Sequence, residues 1–180
     1  MIEVICGPMF SGKTEELIRR LKRVIIAETP YIVFKPNIDS RNEAEDDGIA
    51  THDLCGKSDA HVVNNAEEIY AMSKDYKVIA IDEAQFFETE LYATVLKMAD
   101  EGKRVIISGL DLDYLRQPFP TMSNLLAIAD RVDKINSICM VCKENASYSL
   151  RLVEQNDLMV IGGQDTYLPV CRACYNKKKQ

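Results

Sequence analysis

The segment Gly7–Thr14 constrains the fold of this chain more strongly than any other part of the sequence. It reads Gly-Pro-Met-Phe-Ser-Gly-Lys-Thr and matches the G-x-x-x-x-G-K-[ST] pattern of a phosphate-binding loop. The segment follows a short apolar run, Ile2–Cys6, and opens an amphipathic helical pattern, which is the context that this motif requires. Backbone N–H groups in such a loop surround phosphate oxygens, and the helix dipole adds positive potential. We therefore expect a nucleoside triphosphate to bind here.

Every residue of this loop is a candidate nucleotide-binding residue. Lys13 is expected to reach the β- and γ-phosphates, and the Thr14 hydroxyl is expected to ligate the Mg²⁺ that accompanies the nucleotide. The candidate nucleotide-binding residues of the loop are Gly7, Pro8, Met9, Phe10, Ser11, Gly12, Lys13 and Thr14.

Up to about residue 135, short runs rich in Val and Ile alternate with helical patterns. The predicted strands are Ile2–Cys6, Tyr31–Phe34, His61–Val63, Val78–Ile81 and Arg104–Ser108. The predicted helices are Thr14–Ala27, Asn65–Lys74, Thr89–Glu101 (ended by Gly102) and Met122–Asp130. Strands of nearly continuous apolar sequence suit a parallel sheet covered on both faces, so the sequence predicts an α/β domain. The acidic, poorly periodic segment Lys35–Ala60 has the length of a functional lid or a mobile segment.

Two acidic residues, Asp82 and Glu83, follow the predicted strand Val78–Ile81 directly. In proteins with a phosphate-binding loop, an aspartate at such a strand end holds Mg²⁺ directly or through water. The neighbouring glutamate could accept a proton from a nucleophile. That nucleophile is either water, as in an NTPase, or a substrate hydroxyl, as in a kinase. Residue type alone does not decide between the two.

The region after residue 135 carries two C-x-x-C pairs. Their members are Cys139, Cys142, Cys171 and Cys174. Four thiolates in two such pairs suit a structural Zn²⁺ with tetrahedral ligation, whereas a redox dithiol and unpaired buried thiols are the alternatives. Predicted strands at Ser147–Val153 and Leu158–Ile161 form a hairpin that would bring the two pairs together. The pattern predicts a small second lobe.

The composition excludes several classes of function. The chain has 22 basic and 28 acidic residues, a net charge of −6, so its overall field does not attract nucleic acid or anionic lipid. No apolar run approaches the roughly 20 residues of a membrane span, and the sequence opens without a signal-peptide pattern. We therefore expect a cytoplasmic protein with neither nucleic acid nor membrane as a partner, and a solvated basic tail at Lys177–Lys179.

Four segments together resemble the cytosolic, zinc-containing (type II) thymidine kinase family. They read GPMFSGKT from Gly7, DEAQFF from Asp82, GLDLDYLRQPF from Gly109 and IGGQDTYLPVCRAC from Ile161, and they occur in the family's order over nearly the whole chain. The resemblance implies a RecA-like P-loop NTPase core with a mostly parallel sheet at residues 1–135. It also implies a zinc-binding β lobe with a lasso loop at residues 136–180.

The resemblance further implies ATP-dependent phosphorylation of the 5′-hydroxyl of thymidine to dTMP, with feedback inhibition by dTTP and a homotetramer. Glu83 would be the general base, and Asp82 would support the metal. Asp39 and Arg41, in the long acidic segment, would help with the metal and the transferred phosphate. The implied nucleoside pocket consists of Met9, Phe86, Leu110, Tyr114, Phe119, Ser149, Val160, Ile161, Gly162, Gly163 and Tyr167.

The chain departs from the family pattern at two positions in the base pocket. Ser149 stands where many members have Thr, and Tyr114 stands where others have Phe, so the preference between thymidine and deoxyuridine stays open. Met1 lies almost at the first predicted strand and the sequence stops just past Cys174, so we expect neither an N-terminal extension nor regulation by a tail.

Two other function classes compete with a kinase. The first is an ATPase whose zinc lobe binds nucleic acid, and the acidity of the chain opposes it. The second is a nucleotide sensor or scaffold without catalysis, and the presence of both Asp82 and Glu83 opposes that interpretation.

Overall fold

The computed structural model describes residues 1–37, 60–152 and 165–178. The helices in these ranges are α1 (Lys13–Ile26), α2 (Ala66–Met72), α3 (Leu91–Asp100), α4 (Pro120–Ile128) and α5 (Arg172–Lys178). The strands are β1 (Ile2–Cys6), β2 (Tyr31–Pro36), β3 (His61–Val63), β4 (Val78–Ile81), β5 (Arg104–Gly109), β6 (Arg131–Lys134), β7 (Ser137–Ile138), β8 (Asn145–Ala146), β9 (Tyr148–Arg151) and β10 (Tyr167–Val170). The strands and helices predicted for the first 135 residues are all present, with ends shifted by no more than two residues.

Six of these strands form one sheet in the order β3-β2-β4-β5-β1-β6, and every neighbouring pair is parallel. Helix α1 packs on one face of the sheet, and α2, α3 and α4 contribute to the apolar cluster on the other face. Because both faces are covered, β1 and β4 are buried at every position, which explains their apolar sequences. The carboxyl ends of parallel strands meet at one edge, so the loops that follow β1, β4 and β5 lie side by side there.

The sequence analysis missed β6, the edge strand beside β1. Three of its four residues are charged, and Arg131, Val132 and Lys134 are exposed to solvent. Charged side chains are typical of edge strands, where they oppose pairing with another chain. An apolar pattern could therefore not reveal this strand.

The residues after β6 form a smaller unit with its own apolar cluster, in which Cys139, Cys174 and Tyr175 are buried. Strands β7 and β8 pair antiparallel, and so do β9 and β10. The predicted strand Ser147–Val153 is present as β9, but it pairs with β10, which the sequence analysis did not predict. The predicted strand Leu158–Ile161 lies outside the described residues.

Helix α5 contains Lys177 and Lys178 of the expected basic tail, and both are exposed to solvent. It begins at Arg172, between the cysteines of the second pair, and continues to Lys178. Within residues 1–37, 60–152 and 165–178, no helix is long and apolar enough to cross a membrane.

Candidate active site

The phosphate-binding loop joins β1 to α1 and depends on two glycines. Gly7 (φ 149°) and Gly12 (φ 82°) adopt backbone conformations that other residues rarely adopt. A Cβ atom on Gly7 would lie 2.2 Å from the carbonyl oxygen of Ile135, so no larger residue fits there. Gly12 is also the N-cap of α1, and because glycine has no side chain, no side-chain hydrogen bond caps the start of the helix. This is the geometry in which a loop and a helix N-terminus bind phosphate.

The side chain of Lys13 is turned into this loop. It is 8% exposed, and its Nζ donates a hydrogen bond to the carbonyl oxygen of Pro8 at 2.8 Å. Burial lowers the pKa of Lys13, while the carboxylates of Glu83 and Asp82 oppose that shift. The lysine is therefore already inside the site, and a phosphate oxygen would take the place of the Pro8 carbonyl.

Asp82, at the end of β4, is held by three donors. Its Oδ2 accepts a hydrogen bond from Thr14 Oγ1 at 2.9 Å. Its Oδ1 accepts one from the backbone N–H of Glu83 at 2.9 Å and another from Ser108 Oγ. The hydroxyl and carboxylate oxygens of Thr14 and Asp82 thus lie together beside the phosphate loop, and they are the type of ligand that Mg²⁺ prefers.

Glu83 adopts a backbone conformation distinct from that of ordinary strand residues. Its φ of 52° lies in the left-handed region, and a short 3₁₀ helix, Ala84–Phe86, follows it. The Glu83 carboxylate accepts a hydrogen bond from Gln85 Nε2 at 2.5 Å. Asp82 and Glu83 are therefore neighbours in sequence with different partners, one bound to Thr14 and the other to Gln85.

The predicted pocket residues Met9 and Ser149 meet between the phosphate loop and the second unit. The backbone N–H of Met9 donates to Ser149 Oγ at 3.0 Å. Close by in the same loop, the carbonyl of Phe10 accepts a hydrogen bond from Ser137 Oγ at 2.9 Å. Two serine hydroxyls of the second unit thus bind the main chain of the phosphate-binding loop.

Tyr114 and Tyr167 are joined by Arg151. The Arg151 guanidinium lies over the ring of Tyr114, with Cζ 3.7 Å from its centroid, and its Nη2 donates to the Tyr167 hydroxyl at 3.2 Å. The carbonyl of Tyr114 accepts a 2.6 Å hydrogen bond from the hydroxyl of Tyr175, a residue adjacent to Cys174. The wall around Tyr114 is thus fixed by groups that belong to the cysteine-bearing unit.

The remaining described pocket residues, Phe86, Leu110 and Phe119, belong to the loops after β4 and β5. Phe86 ends the 3₁₀ helix, and the backbone N–H of Leu110 donates to Gln85 Oε1 at 2.9 Å. Phe119 is the N-cap of α4 and packs against the main apolar cluster. The other predicted site residues, Asp39, Arg41, Val160, Ile161, Gly162 and Gly163, lie outside the described residues.

The four cysteines of the two C-x-x-C pairs form one cluster, Cys139, Cys142, Cys171 and Cys174. All their sulfur atoms lie within 4.8 Å of one another. Although burial opposes the shift, backbone N–H groups that include that of Cys142 lower the pKa of the Cys139 thiol to about 6, which favours the thiolate. Clustered thiolates in two short pairs fit a tetrahedral metal ion such as zinc.

Three residues with a place in this site were missed by the sequence analysis. Ser108 contacts Asp82 and Gln85 contacts Glu83. Arg151 contacts both of the tyrosines that were predicted to line the pocket. Gln85 lies inside the DEAQFF segment, so the sequence analysis could have singled it out from that motif. Ser108 and Arg151 are single residues in ordinary strand sequence, and no local signal marks them.

Comparison with known proteins identifies the family to which this sequence belongs. A thymidine kinase family model matches residues 1–175. The thymidine kinase of Porphyromonas gingivalis is 47% identical over 176 residues, covering 98% of this chain and 85% of that protein. Those of a Rhodothermus species and of Bacteroides thetaiotaomicron are each 44% identical over 174 residues, covering 97% of this chain and 80% and 86% of theirs.

Solved structures add a more distant likeness. The ATPase DotB of Legionella pneumophila has a TM-score of 0.44 and 17% identity over 70% of this chain and 34% of its own, too distant to bear on the assignment. The assignment therefore follows from the sequence matches, which extend over almost the whole chain. This chain belongs to the thymidine kinase family.

Proposed function

We propose that the protein transfers the γ-phosphoryl group of ATP to the 5′-hydroxyl of thymidine, giving dTMP for the salvage of DNA precursors. The observation that carries this proposal is the convergence at one sheet edge of the phosphate loop, the oxygen pair of Thr14 and Asp82, and the carboxylate of Glu83. Family membership supplies the nucleoside as the acceptor, which these groups alone leave open.

In this proposal the chain positions the phosphates and receives one proton. Lys13 exchanges the Pro8 carbonyl for a phosphate oxygen of ATP. Thr14 and Asp82 would hold Mg²⁺, which supplies charge neutralisation at the phosphates when it is bound. Glu83 accepts the hydroxyl proton while the 5′-oxygen bonds to the γ-phosphorus and the bond from phosphorus to the ADP oxygen breaks. Asp39 and Arg41 are proposed to assist at the metal and at the transferred phosphoryl group.

The nucleoside would lie between the phosphate loop and the second unit. The contact of Met9 with Ser149 and the bridge of Arg151 between Tyr114 and Tyr167 support this placement. The side chains that we propose around the base are Met9, Phe86, Leu110, Tyr114, Phe119, Ser149 and Tyr167. Main chain of Val160, Ile161, Gly162 and Gly163 would close over it and exclude water, which favours transfer to the nucleoside over hydrolysis.

Zn²⁺ is proposed for the cluster of Cys139, Cys142, Cys171 and Cys174. Four cysteine ligands leave no open position on the metal, so its contribution would be to hold the second unit folded. We propose no part for it in phosphoryl transfer.

Several wider properties are proposed from the same family membership. The chain would divide into domains 1–135 and 136–180, a division that agrees with the end of the six-stranded sheet at Lys134. It would act in the cytoplasm as a homotetramer. dTTP would be a feedback inhibitor, since it carries both the base and the phosphates that the two parts of the site recognise.

Incubation of the purified protein with Mg·ATP and thymidine tests the proposed reaction. We expect dTMP to form only when thymidine is present, as measured by chromatography, with a reaction lacking nucleoside as the control for ATP loss. Consumption of ATP without dTMP would contradict the proposal and would mean that Glu83 activates water or another hydroxyl.

A further inference from the structure

We propose that Gln85 is a positioning residue that holds the carboxylate of Glu83 at a fixed distance from Leu110, one of the residues proposed to surround the base. The inference rests on the proposed function, in which Glu83 is the general base. Gln85 is 5% exposed, and its two polar atoms have different partners. Its Nε2 donates to Glu83 Oε2 at 2.5 Å, and its Oε1 accepts from the backbone N–H of Leu110 at 2.9 Å.

The partners of the Gln85 amide allow only one orientation. A backbone N–H can only donate, so the atom that faces Leu110 is the amide oxygen. An ionised carboxylate can only accept, so the atom that faces Glu83 is the amide NH₂ group. The side chain is therefore a directional link from the main chain after β5 to the carboxylate after β4.

The surroundings of Gln85 restrict its movement. A Cβ atom on Gly109 would lie 2.7 Å from Gln85 Oε1 and 2.8 Å from Met122 Sδ, so the amide fills the space that this glycine leaves. Glu83 is constrained at the other end by its left-handed backbone and by the hydrogen bond from its N–H to Asp82. The link thus joins two ends that are themselves fixed.

This arrangement has a consequence for the rate of phosphoryl transfer. A general base must lie within hydrogen-bond reach of the proton that it accepts, and a shift of about 1 Å can cost about 100-fold in rate. Leu110 is one of the residues proposed to surround the base, so Gln85 fixes the distance between Leu110 and Glu83. Its loss should lower kcat and leave ATP binding unchanged.

Substitution Gln85→Met tests this role, because methionine has a similar length and lacks both hydrogen bonds. We expect kcat to fall about 10- to 100-fold with KM for ATP within about twofold of wild type. Gln117→Met is the matched control: Gln117 is exposed in the loop before α4, and we expect its kinetics to be unchanged. Normal kcat in Gln85→Met together with a lower melting temperature would overturn the proposal and leave Gln85 a packing residue.

A second variant, Gln85→Glu, covers the case in which the methionine variant does not fold. Glutamate keeps an acceptor for the Leu110 N–H and loses the donor toward Glu83, so we expect a folded protein whose kcat falls by at least as much. Normal kcat in this variant would overturn the proposal.

Variants at Glu83 separate this inference from the proposed function. Normal kcat in Glu83→Gln would refute Glu83 as the base, whereas loss of kcat there with normal kcat in both Gln85 variants would refute only the role of Gln85. If Gln85 acts through Glu83, the double variant Glu83→Gln/Gln85→Met should be within about twofold of Glu83→Gln alone. A further loss equal to that of the Gln85 single variant would overturn the proposal.

Discussion

The six-stranded sheet with its helices and the second unit, which follows β6 and contains the four clustered cysteines, are stabilised in different ways. In the first, strands β1 and β4 are buried at every position between helices on both faces of the sheet. In the second, strands of two to four residues surround a small apolar cluster that includes Cys139 and Cys174. A unit with so little apolar material is expected to depend on the proposed metal ion and on polar contacts. The site for the phosphates and the site for the nucleoside should therefore be lost under different conditions.

Removal of the proposed metal ion should have the largest effect, and it should affect the two units differently. After chelation we expect thymidine phosphorylation to be lost and ATP binding to be retained, because the phosphate loop is held by the parallel sheet while the cysteine cluster holds the β9–β10 hairpin. The measurements are metal content, dTMP formation and binding of a fluorescent ATP analogue. Re-addition of Zn²⁺ is the control, and simultaneous loss of ATP binding would show that the two units are not stabilised independently.

Arg20→Met tests the sheet unit. Arg20 is 4% exposed and makes ion pairs of 2.6 Å with both Glu3 and Asp133. Its loss leaves the buried Glu3 with one cationic partner fewer, so we expect the free energy of unfolding to fall by about 3 to 5 kcal/mol in urea denaturation. Arg19→Met is the matched control because Arg19 is an exposed partner of Glu16, and its effect should stay within about 1 kcal/mol. Equal effects of the two variants would contradict the expectation.

Arg151→Met tests the contact between the two units at the proposed base pocket. Without the guanidinium, Tyr114 and Tyr167 lose their shared partner, so we expect KM for thymidine to rise about 3- to 10-fold while KM for ATP stays constant. Steady-state kinetics with each substrate varied in turn measures this. Lys97→Met removes a comparable cation from the ring of Tyr70, 4.0 Å away and outside the site, and serves as the control. A parallel rise in both KM values would refute the role of Arg151.

Tyr175→Phe should have the smallest effect. It removes the hydroxyl that donates to the Tyr114 carbonyl and keeps the ring over which Arg116 lies at 4.3 Å. Loss of one such hydrogen bond costs about 1 kcal/mol, so we expect KM for thymidine to rise by about fivefold at most. A titration with thymidine measures the change. An unchanged KM would mean that the turn at Tyr114 keeps its position without this hydroxyl.

The elements that follow from apolar periodicity and from the phosphate-loop motif could be predicted from the sequence. The strand before Gly7, the helix after Gly12 and the acidic pair after β4 all lie where they were expected, because their patterns are local. The cysteine cluster was predictable for the same reason, since two short pairs have few other uses.

The contacts between distant segments could not be predicted. Strand β6 joins the sheet by pairing with β1, and its charged sequence carries no apolar signal. Gln85 and Arg151 have their partners in other loops, so their roles depend on how the sheet and the second unit come together. Residue type at a single position contains no information about such partners.

The packing of the second unit along the phosphate loop has a thermodynamic consequence. The Ile135 carbonyl lies against Gly7, and two serines bind the main chain of Met9 and Phe10, so the loop that we propose for ATP is also part of the support for the proposed nucleoside pocket. An adjustment of this loop on binding one substrate would therefore change the free energy of binding the other. Coupling of this kind is reciprocal: whatever factor ATP contributes to thymidine affinity, thymidine must contribute equally to ATP affinity.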